Sequence, residues 1–147
     1  MEIKAKKIEE DAMMPSKMSA DSAGLDLYAY IEEGYDHEWI EPGQTMKIRT
    51  GIAVALPEGT FGAIHARSGL ATKQGLRPAN CVGVIDSDYR GEIIVALHND
   101  STIRQMVCRA DRIAQLVVMP YIKAELTEVA ELDDTDRGTG GFGSTGR

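Results

Sequence analysis

Ile52-Ala53-Val54-Ala55-Leu56-Pro57-Glu58-Gly59-Thr60-Phe61-Gly62-Ala63-Ile64 decides the fold class: two short apolar runs, Ile52 to Leu56 and Phe61 to Ile64, are broken by a Pro-Glu-Gly turn. Runs of that length between turn residues read as β-strands. Outward from this stretch the pattern recurs in Met46 to Ile48, Ile93 to Leu97 and Ile113 to Met119. Pro42-Gly43, Arg90-Gly91 and Asn99-Asp100 supply the turns between them. Many short strands with turn chemistry between them predict a mostly antiparallel all-β domain, a barrel or a sandwich. One short helix is expected after Ser68, through Leu70, Ala71, Lys73 and Gln74, with Gly75 as its C-terminal glycine.

The 147 residues suit one compact domain. Its expected extent is residues 1–131, followed by a mobile glycine-rich tail over 132–147. The tail has too little apolar surface to offset the entropy of its own ordering. A net charge of -7, from 23 acidic and 16 basic side chains, argues against nucleic acid as a partner, so a phosphate site has to be built locally. The longest mostly apolar stretch, Ile113 to Ile122, is interrupted by Gln115 and Pro120 and falls short of the ~20 residues of a membrane helix. No apolar segment follows Met1 to Lys7, which predicts a cytoplasmic location, or a nuclear one in a eukaryotic or viral setting. Cys81 and Cys108 lack CxxC spacing and are expected as buried, reduced thiols. His37, His65 and His98 show no metal-ligand spacing.

Three constellations carry possible chemistry. Gly138-Thr139-Gly140-Gly141-Phe142-Gly143 satisfies GxGxxG but lacks the strand before it and the helix after it that a dinucleotide fold needs. What remains is a strip of backbone amides and hydroxyls beside Arg137, suited to wrapping a polyphosphate, or a plain glycine-rich end. Ala66-Arg67-Ser68-Gly69-Leu70 opens the expected helix, where free amides favour an anion; the alternative is Ser68 as an ordinary N-cap with a solvated Arg67. Asp86-Ser87-Asp88-Tyr89-Arg90-Gly91-Glu92 is a polar turn directly after the apolar Val82 to Ile85. Its carboxylates can act as a general base or metal ligand, or simply be solvated.

Taken together, five segments resemble the signature of the trimeric dUTPase family in order and spacing. They are Ser22 to Leu27, Ala66 to Ala71, Gly83 to Gly91, Asp111 to Leu116 and Arg137 to Gly146, spanning nearly the whole chain. The resemblance implies a jelly-roll-like β-barrel of the dUTPase-like β-clip type. It also implies a homotrimer in which the tail of one subunit closes over an active site built by others. The implied reaction is hydrolysis of dUTP to dUMP and pyrophosphate, which limits uracil in DNA and supplies dUMP for thymidylate synthesis. Asp86 is then the general base that activates water for attack on the α-phosphorus. Magnesium would ride on the phosphates, with Asp26 contacting it through water. Ser68, with neighbouring amides including that of Gly69, and Gln115 would hold the phosphate chain; Arg67 would contact phosphate or the subunit interface. Arg137, Gly143, Ser144 and Thr145 would cover the γ end. A β-hairpin from Asn80 through Val84 and Ile85 would pair with the uracil edge, Tyr89 would pack under the deoxyribose, and Phe142 would stack on the base.

This sequence departs from the family pattern at Ala66, where proline is usual, and at Ala110, where glycine is usual, so Ala110 is expected to avoid positive φ. Two rival readings are a related dCTP deaminase, which would need a glutamate over the pyrimidine where this chain has Asp86 and Tyr89 in the dUTPase arrangement and Glu92 beyond the turn, and a nucleotide-gated binding protein without turnover.

Overall fold

The computed structural model describes residues 2–141. The strands are β1 (Lys4–Lys7), β2 (Leu25–Tyr28), β3 (His37–Ile40), β4 (Thr45–Ala55), β5 (Thr60–His65), β6 (Leu76–Pro78), β7 (Gly83–Ile85), β8 (Glu92–Asn99), β9 (Gln105–Cys108) and β10 (Arg112–Pro120). They form two four-stranded sheets, ordered β1-β4-β8-β6 and β2-β10-β5-β7, and the pair β3-β9. The all-β expectation holds. All three sheets contribute to one core, among them Leu27 of β2, Ile40 of β3, Ile52 of β4, Ile64 of β5, Ile93 and Leu97 of β8, Val107 of β9 and Leu116 of β10. Alternation sets the faces: in β8, Ile93, Val95, Leu97 and Asn99 point inward while Ile94 is half exposed.

The stretch Ile52 to Ile64 is a corner. Although β4 and β5 are joined by the tight Pro57–Gly59 turn, β4 pairs with β1 and β8 while β5 pairs with β10 and β7. The segment between β6 and β7 behaves in the same way. Asn80 to Ile85 is therefore not a paired hairpin as expected: β6 bonds to β8, β7 bonds to β5, and the turn at Asn80 carries the chain from one sheet to the other.

Three other local expectations need correction. The expected helix is a π-helical turn, Leu70–Gln74, preceded by Gly69 with no side-chain cap. Ser68 accepts through its carbonyl, from Thr72 Oγ1 at 2.6 Å, so its hydroxyl is not an N-cap. Gly75 does end the turn, at φ 70° with its N–H on Leu70 O. The cysteines are free but not buried: Cys81 is exposed at a corner with φ 58°, and Cys108 is half-buried. Ala110, finally, adopts φ 66°. The β9–β10 turn forces it there, because Ala110 N donates to Ala29 O (2.9 Å), Asp111 N to Cys108 O (3.1 Å) and Cys108 N to Asp111 Oδ2 (2.8 Å).

Gly51 is required by the fold. In β4, the register against β8 shifts between Arg49 and Ala53, and Gly51 sits in that bulge at φ 68°. A Cβ there would lie 2.6 Å from Ala12 Cβ. Glu92 and Thr50 fix the bulge: Gly51 N donates to Glu92 Oε1 (2.7 Å) and Thr50 Oγ1 to Ile93 O (2.7 Å).

The left-handed Ala110 gives a stability prediction. A left-handed non-glycine residue costs roughly 1–2 kcal/mol, and glycine returns ~0.4–1 of that as unfolded-state entropy. Ala110→Gly is therefore expected to raise Tm by roughly 2 °C in scanning calorimetry; a fall in Tm would show that the turn carries no strain.

Candidate active site

The expected site residues gather in two clusters. The first is centred on Asp26, which β2 sets opposite Gln115 of β10 and which is only 2% exposed. Its Oδ1 accepts from Arg67 Nε (3.3 Å) and Gln115 Nε2 (3.3 Å), and its Oδ2 from Arg112 Nη1 (3.2 Å). Arg67 also donates to Arg112 O (3.2 Å). Arg67 follows the end of β5, whose last residue His65 pairs with Gln115, and Ser68 and Gly69 come next with exposed backbone. Gly24 lets Gln115 lie close, since a Cβ there would stand 3.3 Å from Gln115 Cβ. One carboxylate thus holds two guanidiniums and an amide at the surface, leaving residual positive charge and free donors for an anion.

Arg112 has no role in the motif reading. It lies three residues before Gln115, an offset that puts side chains on opposite faces of a regular strand. The register shift between Arg112 and Ala114 returns it to the face of Asp26. Only the bulge reveals it.

The second cluster lies on β7 and the turn after it. β7 bonds only to β5, so its outer edge is unpaired among the described residues. Along that edge Val84, Ile85, Asp86, Tyr89, Glu92 and Ile94 line a cleft of about 260 Å3. An adjoining cleft of about 150 Å3 adds Asn80 and Gly83. Together they approach the size of a small-molecule site, ~300–1,000 Å3. Asp86 is exposed at the mouth, and among the described residues its carboxylate accepts no hydrogen bond or ion pair. Tyr89 N closes the turn onto Asp86 O (3.1 Å), and Tyr89 Oη donates to Glu92 O (3.0 Å). Glu92 is occupied: Arg49 Nε donates to both its oxygens (3.2 and 3.0 Å), and Gly51 N to one of them. A carboxylate so engaged is a poor candidate for proton transfer to a base, which removes support for the deaminase reading.

One chain keeps the two clusters apart. Asp26, Gln115 and His65 share one row across β2, β10 and β5, whereas Ile85 faces Gly62 and so sets Asp86 level with Phe61 and Met119. From Asp26 to Asp86 is three strands across and four residues along, roughly 20 Å at ~4.8 Å per strand and ~3.3 Å per residue. Arg137 joins neither cluster; its Nε donates to Gly140 O (2.9 Å). Phe142, Gly143, Ser144 and Thr145 lie outside the described residues.

The donor set suits a metal that arrives with its ligand. No group of three or more His, Cys, Asp or Glu among the described residues could cage an ion. Asp26 has three of its roughly four acceptor positions filled, leaving room for contact through a water but not for a coordination shell.

The fold is that of an all-β protein with clefts along a strand edge that is unpaired among the described residues. A family model described as dUTPase matches residues 10–146. The chain is 45% identical over 147 residues to a deoxyuridine 5'-triphosphate nucleotidohydrolase of Nautilia profundicola, covering 100% of both. To that of Desulfitobacterium hafniense it is 50% identical over 134 residues, 90% of this chain and 87% of the relative. A solved Staphylococcus bacteriophage 80alpha dUTPase with dUPNHPP aligns at TM-score 0.82 and 28% identity over 99% of each chain. The chain belongs to the dUTPase family.

The Asp26 cluster predicts the effect of its removal. Breaking a fully buried pair costs about 3–5 kcal/mol. Here Arg67 and Arg112 keep 23% and 39% side-chain exposure and can rehydrate, so the loss is smaller. Asp26→Ala is expected to cost about 2 kcal/mol, read from the urea midpoint; an unchanged midpoint would mean that the cluster adds nothing to stability.

Proposed function

We propose that this chain hydrolyses dUTP to dUMP and pyrophosphate with magnesium, in a homotrimer whose active sites are each shared between copies, and that it acts in the cytoplasm. Family membership supports the substrate, because the 80alpha dUTPase was solved with dUPNHPP. The observation that carries the reading is Asp86, a carboxylate without a partner among the described residues, beside a cleft lined by Val84, Ile85 and Tyr89.

The unpaired edge of β7 offers backbone donors and acceptors to a planar base edge, much as a sheet edge accepts an added strand. Asn80, Val84 and Ile85 recognise uracil there, and Tyr89 packs under the deoxyribose. Asp86 takes a proton from a water aligned with the α-phosphorus; the new P–O bond forms as the bond to the β-phosphate oxygen breaks, and pyrophosphate leaves. Arg67, Ser68, the Gly69 amide and Gln115 hold the phosphates. Asp26 orients that set, and its remaining acceptor position would hold magnesium through a water. Magnesium supplies charge neutralisation along the phosphate chain. Arg137, Phe142, Gly143, Ser144 and Thr145 close over the ligand and exclude water.

The roughly 20 Å between Asp86 and Asp26 exceeds what one nucleotide triphosphate needs between its reacting phosphorus and its phosphate clamp. Sharing between copies resolves that gap, one copy supplying the Asp86 edge and another the Asp26 cluster. A closed ring of three such head-to-tail contacts is the arrangement that the resemblance to trimeric dUTPases implies.

Pyrophosphate release is the test, measured with magnesium from dUTP beside dCTP, dTTP and UTP. Release from dUTP alone, reduced ~10²–10⁴-fold in Asp86→Asn, is expected for loss of a general base. Ammonia from dCTP, or binding without turnover, would overturn the reading. The shared site has its own test: Asp86→Asn and Arg67→Ala, each inactive, are refolded together. Random mixing leaves about a quarter of the sites with both halves intact, so about a quarter of wild-type activity should return. No recovery from a mixture shown to exchange subunits would mean that each site lies within one chain.

A further inference from the structure

We infer that Gly91 and Glu92 are positioning residues that hold the Tyr89 ring at the angle needed to reject a 2′-hydroxyl; the inference rests on the nucleotide reading above.

The Tyr89 hydroxyl donates to the Glu92 carbonyl at 3.0 Å, so it is spent on the protein and the ligand meets the ring. The ring lies directly over Gly91, where a Cβ would stand 2.5 Å from Tyr89 Cζ and 3.0 Å from Cε2. Gly91 has no positive φ, so what it supplies is space and not an unusual backbone angle. An alanine there fits the backbone but must push the tyrosine ring away.

The carbonyl that tethers Tyr89 is itself anchored. Glu92 opens β8 opposite Ala53, just past the β4 bulge, and its side chain is 14% exposed. Its carboxylate accepts from Gly51 N at 2.7 Å and from Arg49 Nε at 3.2 and 3.0 Å. Arg49 spends its other nitrogens on Glu9 (2.5 Å) and Glu32 (3.4 Å), and the hydrogen bonds it donates to Glu9 and Glu92 raise its pKa above that of an ordinary arginine. The chain of contacts runs from Glu9 through Arg49 and Glu92 to Tyr89. It ends on the wall of the cleft that Asp86 also lines.

The experiment compares kcat and KM for dUTP and UTP in the wild type, Gly91→Ala, Glu92→Ala, Glu92→Gln and Tyr89→Phe, with Tm for each. Gly91→Ala should stay folded with at most a small fall in Tm, keep most of kcat, raise KM for dUTP, and lower the dUTP-over-UTP ratio of kcat/KM on the order of tenfold. Glu92→Ala should lower the ratio similarly. Glu92→Gln keeps an acceptor for Gly51 N and should retain most of it, and Tyr89→Phe, which removes only the tether, should lose part of it. Should Glu92→Ala fail to fold, Gly91→Ala still decides, because it leaves the Glu92 carboxylate and its partners Arg49 and Gly51 in place and disturbs only the exposed Tyr89 ring with its tether. An unchanged ratio in a folded Gly91→Ala, or a fall in kcat alone, overturns the inference while leaving the wild type a dUTPase. A wild type that turns over neither nucleotide overturns the nucleotide reading and this inference with it.

Discussion

The antiparallel register of β5 between β10 and β7 is the constraint from which the site follows. Gln115 opposite His65 fixes where the Asp26 cluster meets the sheet, and Gly62 opposite Ile85 fixes where Asp86 leaves it. A one-residue slip would turn every inward side chain of a strand outward, so with Ile64 and Leu116 both in the core neither pairing can drift. Gly62 tightens the register further: a Cβ there would lie 2.7 Å from Leu116 Cδ1 and 3.3 Å from Ile85 Cβ, so β10, β5 and β7 approach more closely than any side chain would allow. The same packing that builds the core therefore sets the two clusters at opposite corners of the sheet.

Much of this was legible from local patterns. The short apolar runs Ile93 to Leu97 and Ile113 to Met119 identify strands, because their length and the turn residues that bound them are local features. The glycine after Gln74 marks a chain reversal for the same local reason, and it stands at the predicted place. Asp86, Tyr89, Arg67 and Gln115 were readable as a set because their motifs keep order and spacing; Asp86 and Tyr89 line one cleft, and Arg67 and Gln115 hold a common carboxylate.

What was not legible depends on contacts distant in sequence. Pro57–Gly59 and Asn80–Val82 have the chemistry of hairpin turns, yet both are corners, because each flanking strand finds its partner far away. No local signal separates the two cases. Ala110 illustrates the same limit: alanine predicts φ below zero, and the carbonyl of Ala29, with Asp111 clasping the turn, overrides that preference. Arg49, which joins Glu9, Glu32 and Glu92, belongs to no motif at all, since its partners lie 40, 17 and 43 residues away.

The charge distribution reconciles a strongly acidic chain with a site for polyphosphate. A net charge of -7 repels anions at long range, but in physiological salt that repulsion is screened beyond ~8 Å. Near Asp26 the balance reverses. One carboxylate faces two guanidiniums, so about one positive charge remains uncompensated, and Gln115 adds an amide donor. Without Asp26 the guanidiniums would repel each other and splay into water; with it they are held before any ligand arrives, so less ordering entropy is lost on binding. The carboxylate that weakens the cluster's charge is thus what gives the cluster its geometry. For a compact ligand with several adjacent negative oxygens, held donors matter more than one further unit of charge. The acidic remainder then disfavours long polyanions, whose phosphates extend beyond the cluster, while leaving a short phosphate chain free to bind.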